Sequence, residues 1–82
     1  MITIDQAPLG KRLFVSSFRE DEQRDFSEIE SRLMLLGIVF GQSVTLVKKS
    51  LMSRGPLLIE VRGRRIALSQ NEAILIKVEV EA

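Results

Sequence analysis

Arg62, Arg64 and Arg65 fall on one short stretch of this chain, with Lys48, Lys49 and Arg54 on the stretch before it. Guanidinium groups so closely spaced can grip phosphates or carboxylates through bidentate, charge-assisted hydrogen bonds. Binding of nucleic acid by small folds also calls for aromatic rings interleaved with the cations, and none lies among these residues. A formal net charge of +1 supplies no strong field for a phosphate backbone or an anionic membrane. The cluster therefore reads first as a solvated hairpin and second as a contact for an acidic protein surface, with nucleic acid set aside.

Carboxylates raise the question of metal. Asp21, Asp25 and Glu28 recur at i, i+4 and i+7 and can share a helix face. Iron(II) sites favour imidazole beside carboxylate, and the chain has no His and no Cys. The acidic residues more simply complement the exposed N–H groups that open a helix. No metal site and no cofactor are expected.

Catalysis is disfavoured on the same grounds. Without His the commonest general base is missing, and without Cys there is no thiol nucleophile. The Ser, Lys and carboxylate residues show no triad-like arrangement. Gly37 and Gly41 lack the following Lys-Ser/Thr of a phosphate-binding loop. The chain is read as a binding protein, not an enzyme, with no catalytic residues.

Two apolar residues stand out of place. At 100° per residue, Leu35 lies about half a turn from the stripe formed by Phe26, Ile29, Leu33 and Leu36. Phe40 falls in the loop after Gly37, where a large ring finds little cover. Exposed together, they would form an apolar patch for a partner or for a second copy of the chain. Leu35, Phe40, Arg62, Arg64 and Arg65 are thus the candidate partner-binding residues.

The elements that position them follow from periodicity. The chain has 82 residues and 45% hydrophobic content, enough for one domain spanning 1–82 around one core. Phe26, Ile29, Leu33 and Leu36, spaced 3, 4 and 3 apart, mark a helix. Ser27 with Glu30, or Asp25 with Glu28, would cap its start. Gly37 closes it, with Ile38 folding back onto Leu33 and Met34 at the margin of the core face.

The rest reads as strand. Leu13–Phe18 follows the turn signal Pro8-Leu9-Gly10, and a second run spans Val44 to Lys49. Leu57, Ile59 and Val61 alternate with Leu58, Glu60 and Arg62. Gly63 marks a tight hairpin turn before Ile66 and Leu68. Ile74, Ile76, Val78 and Val80 would share one face, opposite Leu75, Lys77 and Glu79. Five short strands leave open edges unless the sheet curls closed, so a small antiparallel barrel capped by the helix is expected.

These elements carry a resemblance. The stretch Ser31-Arg32-Leu33-Met34-Leu35-Leu36-Gly37-Ile38-Val39-Phe40-Gly41 resembles the hallmark of ferrous-iron transport protein A, the FeoA family. That hallmark is an Arg-Leu pair closing a helix, then Leu-Gly-aliphatic, any residue, and Pro-Gly. Arg32, Leu33, Leu36, Gly37, Ile38 and Gly41 match it; Phe40 stands where the family usually has Pro, and Leu35 where it usually has a polar or acidic residue. The block from Gly55 to Leu68, Glu72-Ala73-Ile74-Leu75-Ile76-Lys77-Val78 and Pro8-Leu9-Gly10 are similar to later and earlier parts of the family pattern. Residues 19–25 look longer and more charged than the family's usual connection.

The resemblance implies an SH3-like barrel, mainly β with one helix. It also implies a non-enzymatic accessory role in bacterial ferrous-iron uptake, at the cytoplasmic side of a FeoB-type membrane permease that carries a GTPase domain. The protein would be cytoplasmic, peripheral to the inner membrane through that partner and not inserted into it. Similar SH3-like domains occur in metal-dependent transcriptional regulators, so a stand-alone interaction module for such a regulator is the alternative.

Overall fold

A computed structural model describes residues 2–18, 26–50 and 55–82. Strands β1 (Ile2–Thr3), β2 (Arg12–Phe18), β3 (Ser43–Lys49), β4 (Leu57–Val61), β5 (Arg64–Leu68) and β6 (Ile76–Val80) form one sheet in the order β1-β6-β2-β3-β4-β5. Every pairing is antiparallel. Helix α1 (Phe26–Leu35) joins β2 to β3, and the short helix α2 (Gln70–Ala73) joins β5 to β6.

Period two decides which residues enter the core. Leu13 and Val15 of β2, Val44 and Leu46 of β3, Leu57, Ile59 and Val61 of β4, Leu68 of β5, and Ile76 and Val78 of β6 meet in a single cluster. For all these strands to face one interior the sheet must bend. Register shifts at Val15/Ser17 and at Leu46/Lys48 supply the bends, as bulges do. The hydroxyl of Ser16, the extra residue of the first bulge, donates to the Lys77 carbonyl at 3.1 Å.

The expected closure is incomplete. The sheet has two ends, β1 and β5, and no ladder joins them. A 3₁₀ turn over Ile4–Gln6 follows β1 and buries Ile4 and Ala7 in the core. This segment, which follows β1, contacts α2, which follows β5. Neither β1, nor the 3₁₀ turn, nor α2 was expected from the sequence.

The last strand also starts later than its pattern suggests. Ile74 is the C-cap of α2 instead of a strand residue, Leu75 is buried together with Ile76, and Val80 is exposed. The reason is local. Ser69 Oγ accepts from the Glu72 N–H at 3.2 Å, and the Glu72 carboxylate accepts from the Ser69 N–H at 3.0 Å. This reciprocal capping box starts a turn of helix before the strand begins.

The C-terminus of α1 follows its sequence closely. The Ile38 N–H donates to Leu33 O at 2.9 Å and the Gly37 N–H to Met34 O at 3.0 Å, the two bonds of a Schellman motif. Gly37 takes φ +88°, which a side chain would strain. Ile29, Leu33 and Leu36 pack on the core. At the other end, α1 already contains Ser27, which removes Ser27 as its cap; the alternative cap, Asp25, lies outside the described residues.

Candidate functional site

Phe40 occupies a defined corner. The Gln42 N–H donates to Val39 O at 3.0 Å, closing a four-residue turn with Gly41 at φ +82°. Phe40 is outside the positive-φ set, so the turn is type II with Phe40 at its second position, where proline is favoured. Two further bonds pin the turn to β2: Gly41 N–H to Val15 O at 2.7 Å, and Val15 N–H to Gln42 O at 3.0 Å. The chain therefore holds its backbone rigid there while the ring points outward, 80% exposed.

Leu35 is 85% exposed on the last turn of α1, and Met34 beside it is 59% exposed instead of packing at the core margin. Phe40 and Met34 line a cleft of about 200 Å³ together with Phe18, Glu30, Ile38 and Val39. Leu35 does not line that cleft. Leu35 and Phe40 are thus each exposed, Phe40 sharing its cleft with Met34 and Leu35 lying outside it.

The arginine cluster is divided among different tasks. Val61 pairs with Arg64 across a two-residue turn of Arg62 (φ 52°) and Gly63 (φ 78°), which is type I′. Arg62 lies beside Gly37, and its Nε donates to Gln42 Oε1 at 3.2 Å. It therefore ties the hairpin tip to the loop that follows α1. Arg65 Nε faces Glu60 Oε2 at 3.9 Å across the β4–β5 ladder. Arg64 is exposed and makes no ion pair among the described residues. Arg54 lies outside the described residues, while Lys48 and Lys49 line a separate opening of about 450 Å³ with Pro56, Leu57 and Leu58.

The positive φ of Arg62 makes a prediction. Arg62→Asn should raise stability by about 0.5 kcal/mol, the relief of left-handed backbone strain exceeding the loss of one exposed hydrogen bond. A urea midpoint that rises at constant slope would show it; a fall would mean the bond to Gln42 dominates.

One contact was missed in the sequence. Arg32 forms an ion pair with the Glu72 carboxylate, whose side chain is only 14% exposed. The same carboxylate holds the Ser69 N–H and hydroxyl. It thus fastens α1 to the cap of α2. The signal was present as Ser69-x-x-Glu72, the same capping pattern sought at Ser27 and Glu30.

Among the described residues no group of three Asp or Glu side chains converges, and the chain has no His or Cys. Asp21 and Asp25 lie outside the described residues, leaving Glu28 alone of that acidic set.

The family is decided by a model of the FeoA domain, which matches residues 2–80. The chain belongs to the FeoA domain family. A solved FeoA from Stenotrophomonas maltophilia, complexed with zinc and described as a prokaryotic SH3 domain protein, is 32% identical with a TM-score of 0.79. That match covers 96% of this chain and 91% of the other. Iron(II) transport protein A from Clostridium thermocellum aligns at TM-score 0.82 and 23% identity, over 96% of this chain and 45% of that one. The manganese-activated repressor ScaR aligns at TM-score 0.78 and 20% identity, over 95% of this chain and 34% of the repressor. This FeoA domain therefore spans less than half the length of the clostridial protein and about a third of the repressor. No curated protein matches it significantly. The fold is SH3-like, mainly β with one main helix.

Proposed function

We propose that this FeoA domain is a non-enzymatic accessory protein of ferrous-iron uptake that docks on the cytoplasmic, GTPase-bearing part of a FeoB-type permease. The observation that carries this reading is the exposure of Leu35 at 85% and Phe40 at 80% on rigid backbone. Apolar side chains held in that way cost little entropy when a partner covers them. The Stenotrophomonas relative, described as a candidate ferrous-iron transport activating factor, supports the transport assignment. No helix among the described residues is long and apolar enough to cross a membrane, so association through a partner is the route to the membrane that this reading uses.

The test uses two substitutions that respect the fold. Leu35→Lys places a cation in the last turn of α1, where the helix favours it. Phe40→Pro inserts the residue that the second position of a type II turn prefers. Each should leave the melting temperature unchanged or raised, while weakening binding to the permease's cytoplasmic domain roughly tenfold or more. Wild-type affinity in both variants would remove the patch from the interface, and no binding by the wild-type chain would overturn the docking itself.

The alignment with ScaR favours a second reading, an interaction module for a metal-dependent transcriptional regulator. Titration against such a regulator in place of the permease separates the two.

A further inference from the structure

The outer edge of β5, unpaired among the described residues, combines two properties that the proposed docking patch does not use. It terminates the sheet, and it carries Arg64 and Arg65. Across a two-residue hairpin the residues flanking the turn exchange both of their backbone bonds, and bonded pairs then alternate with unbonded ones. Val61–Arg64, Ile59–Ile66 and Leu57–Leu68 are therefore the bonded pairs of this ladder. Arg65 and Ala67 belong to the intervening pairs, so their N–H and C=O groups point away from β4. None of the turn, loop or cap backbone bonds among the described residues involves positions 64–68.

An unpaired edge accepts another strand unless something prevents it. Here the composition selects the occupant. A second copy of β5 carries no carboxylate and would only add two further cations to the ladder, an unfavourable charge balance. An acidic strand meets the opposite condition. Arg64 has no ion pair among the described residues, and Arg65 has only the 3.9 Å contact with Glu60. On the inner face Ile66 is half-buried against the core, so a neighbouring β-branched residue would extend the apolar surface already there.

We propose that β5 takes up an extended acidic protein segment as a seventh strand, its carboxylates on the outer face beside Arg65 and its apolar residues on the inner face beside Ile66. The proposal stands on the sheet edge alone, whichever protein supplies the segment, and is independent of the Leu35–Phe40 patch.

The probe is the blocked hexapeptide Glu-Val-Glu-Val-Glu-Val, added to the full chain labelled with nitrogen-15. Its binding should slow amide exchange at Arg65 and Ala67 roughly tenfold, while Arg64, Ile66 and Leu68, already bonded to β4, change little. The matching Lys-Val hexapeptide should give no protection. Ala67→Pro removes an outward N–H without breaking the β4–β5 ladder, as prolines on edge strands do, and should abolish the effect. The double variant Arg64→Glu, Arg65→Glu serves if that protein does not fold, and should reverse the preference toward the lysine peptide. Absence of protection, equal response to both peptides, or protection that appears with protein concentration alone would overturn the proposal.

Discussion

Leu33→Ala should cost about 3 kcal/mol, whereas Leu35→Ala, two residues along the same helix, should change stability by no more than about 0.5 kcal/mol. Leu33 is fully buried in the core cluster, and its carbonyl receives the Ile38 N–H that ends α1. Truncating it removes apolar surface and leaves a cavity that the bent sheet closes only in part. For a domain of this size total stability is on the order of 5–10 kcal/mol, so the loss is a large share. The melting temperature should fall by roughly 12–24 °C for Leu33→Ala, at about 4–8 °C per kcal/mol. Equal midpoints in urea for the two variants would show that α1 does not pack on the sheet through Leu33.

The second large effect is expected at Glu72. Glu72→Ala removes the half of the capping box that serves the Ser69 N–H, and it removes the ion pair with Arg32. Loss of a cap is worth about 1 kcal/mol and a half-buried pair up to about 1 more, giving about 2 kcal/mol in sum. Glu72→Gln separates the parts, since the amide oxygen still accepts from Ser69 while the charge is gone. It should cost less than half as much. A double-mutant cycle with Arg32→Ala should give a coupling of about 0.5–1 kcal/mol. Coupling near zero would mean that the ion pair contributes nothing in solution and that the cap alone holds α2.

This contact also gives Arg32 a physical role. In the sequence it is half of an Arg-Leu pair that supports a family resemblance. In the fold, the Leu of that pair is buried while the Arg reaches across to α2. Two adjacent residues thus join α1 to different parts of the molecule: the core, and the cap that precedes β6.

Periodicity was sufficient where a residue's environment is set within its own element. The helix over Phe26–Leu35, its glycine stop, the alternation in β4 and the turn at Gly63 all follow from side-chain spacing and backbone freedom. The exposure of Leu35 follows equally from its angle on the helix. Pairing could not be read in this way. Strand β1 has only two residues, too few for an alternation, and exists because β6 offers it a partner. Ile74 and Leu75 continue an apolar run that looks like strand, yet the capping box of Ser69 and Glu72 holds the start of that run in a helical turn.

The candidate site divides along the same line. The sequence by itself determined which side chains are available: no His or Cys for metal or catalysis, an unmatched Leu35, a Phe at a turn position that suits proline, and arginines crowded at one hairpin. Only the tertiary structure decided how they are used. It committed Arg62 to Gln42, set Arg65 against Glu60, left Arg64 on the outer edge of β5 and placed Met34 beside Phe40. The physical reason is that composition and spacing act along the chain, whereas these contacts depend on sheet order and on bulges that bring distant segments together.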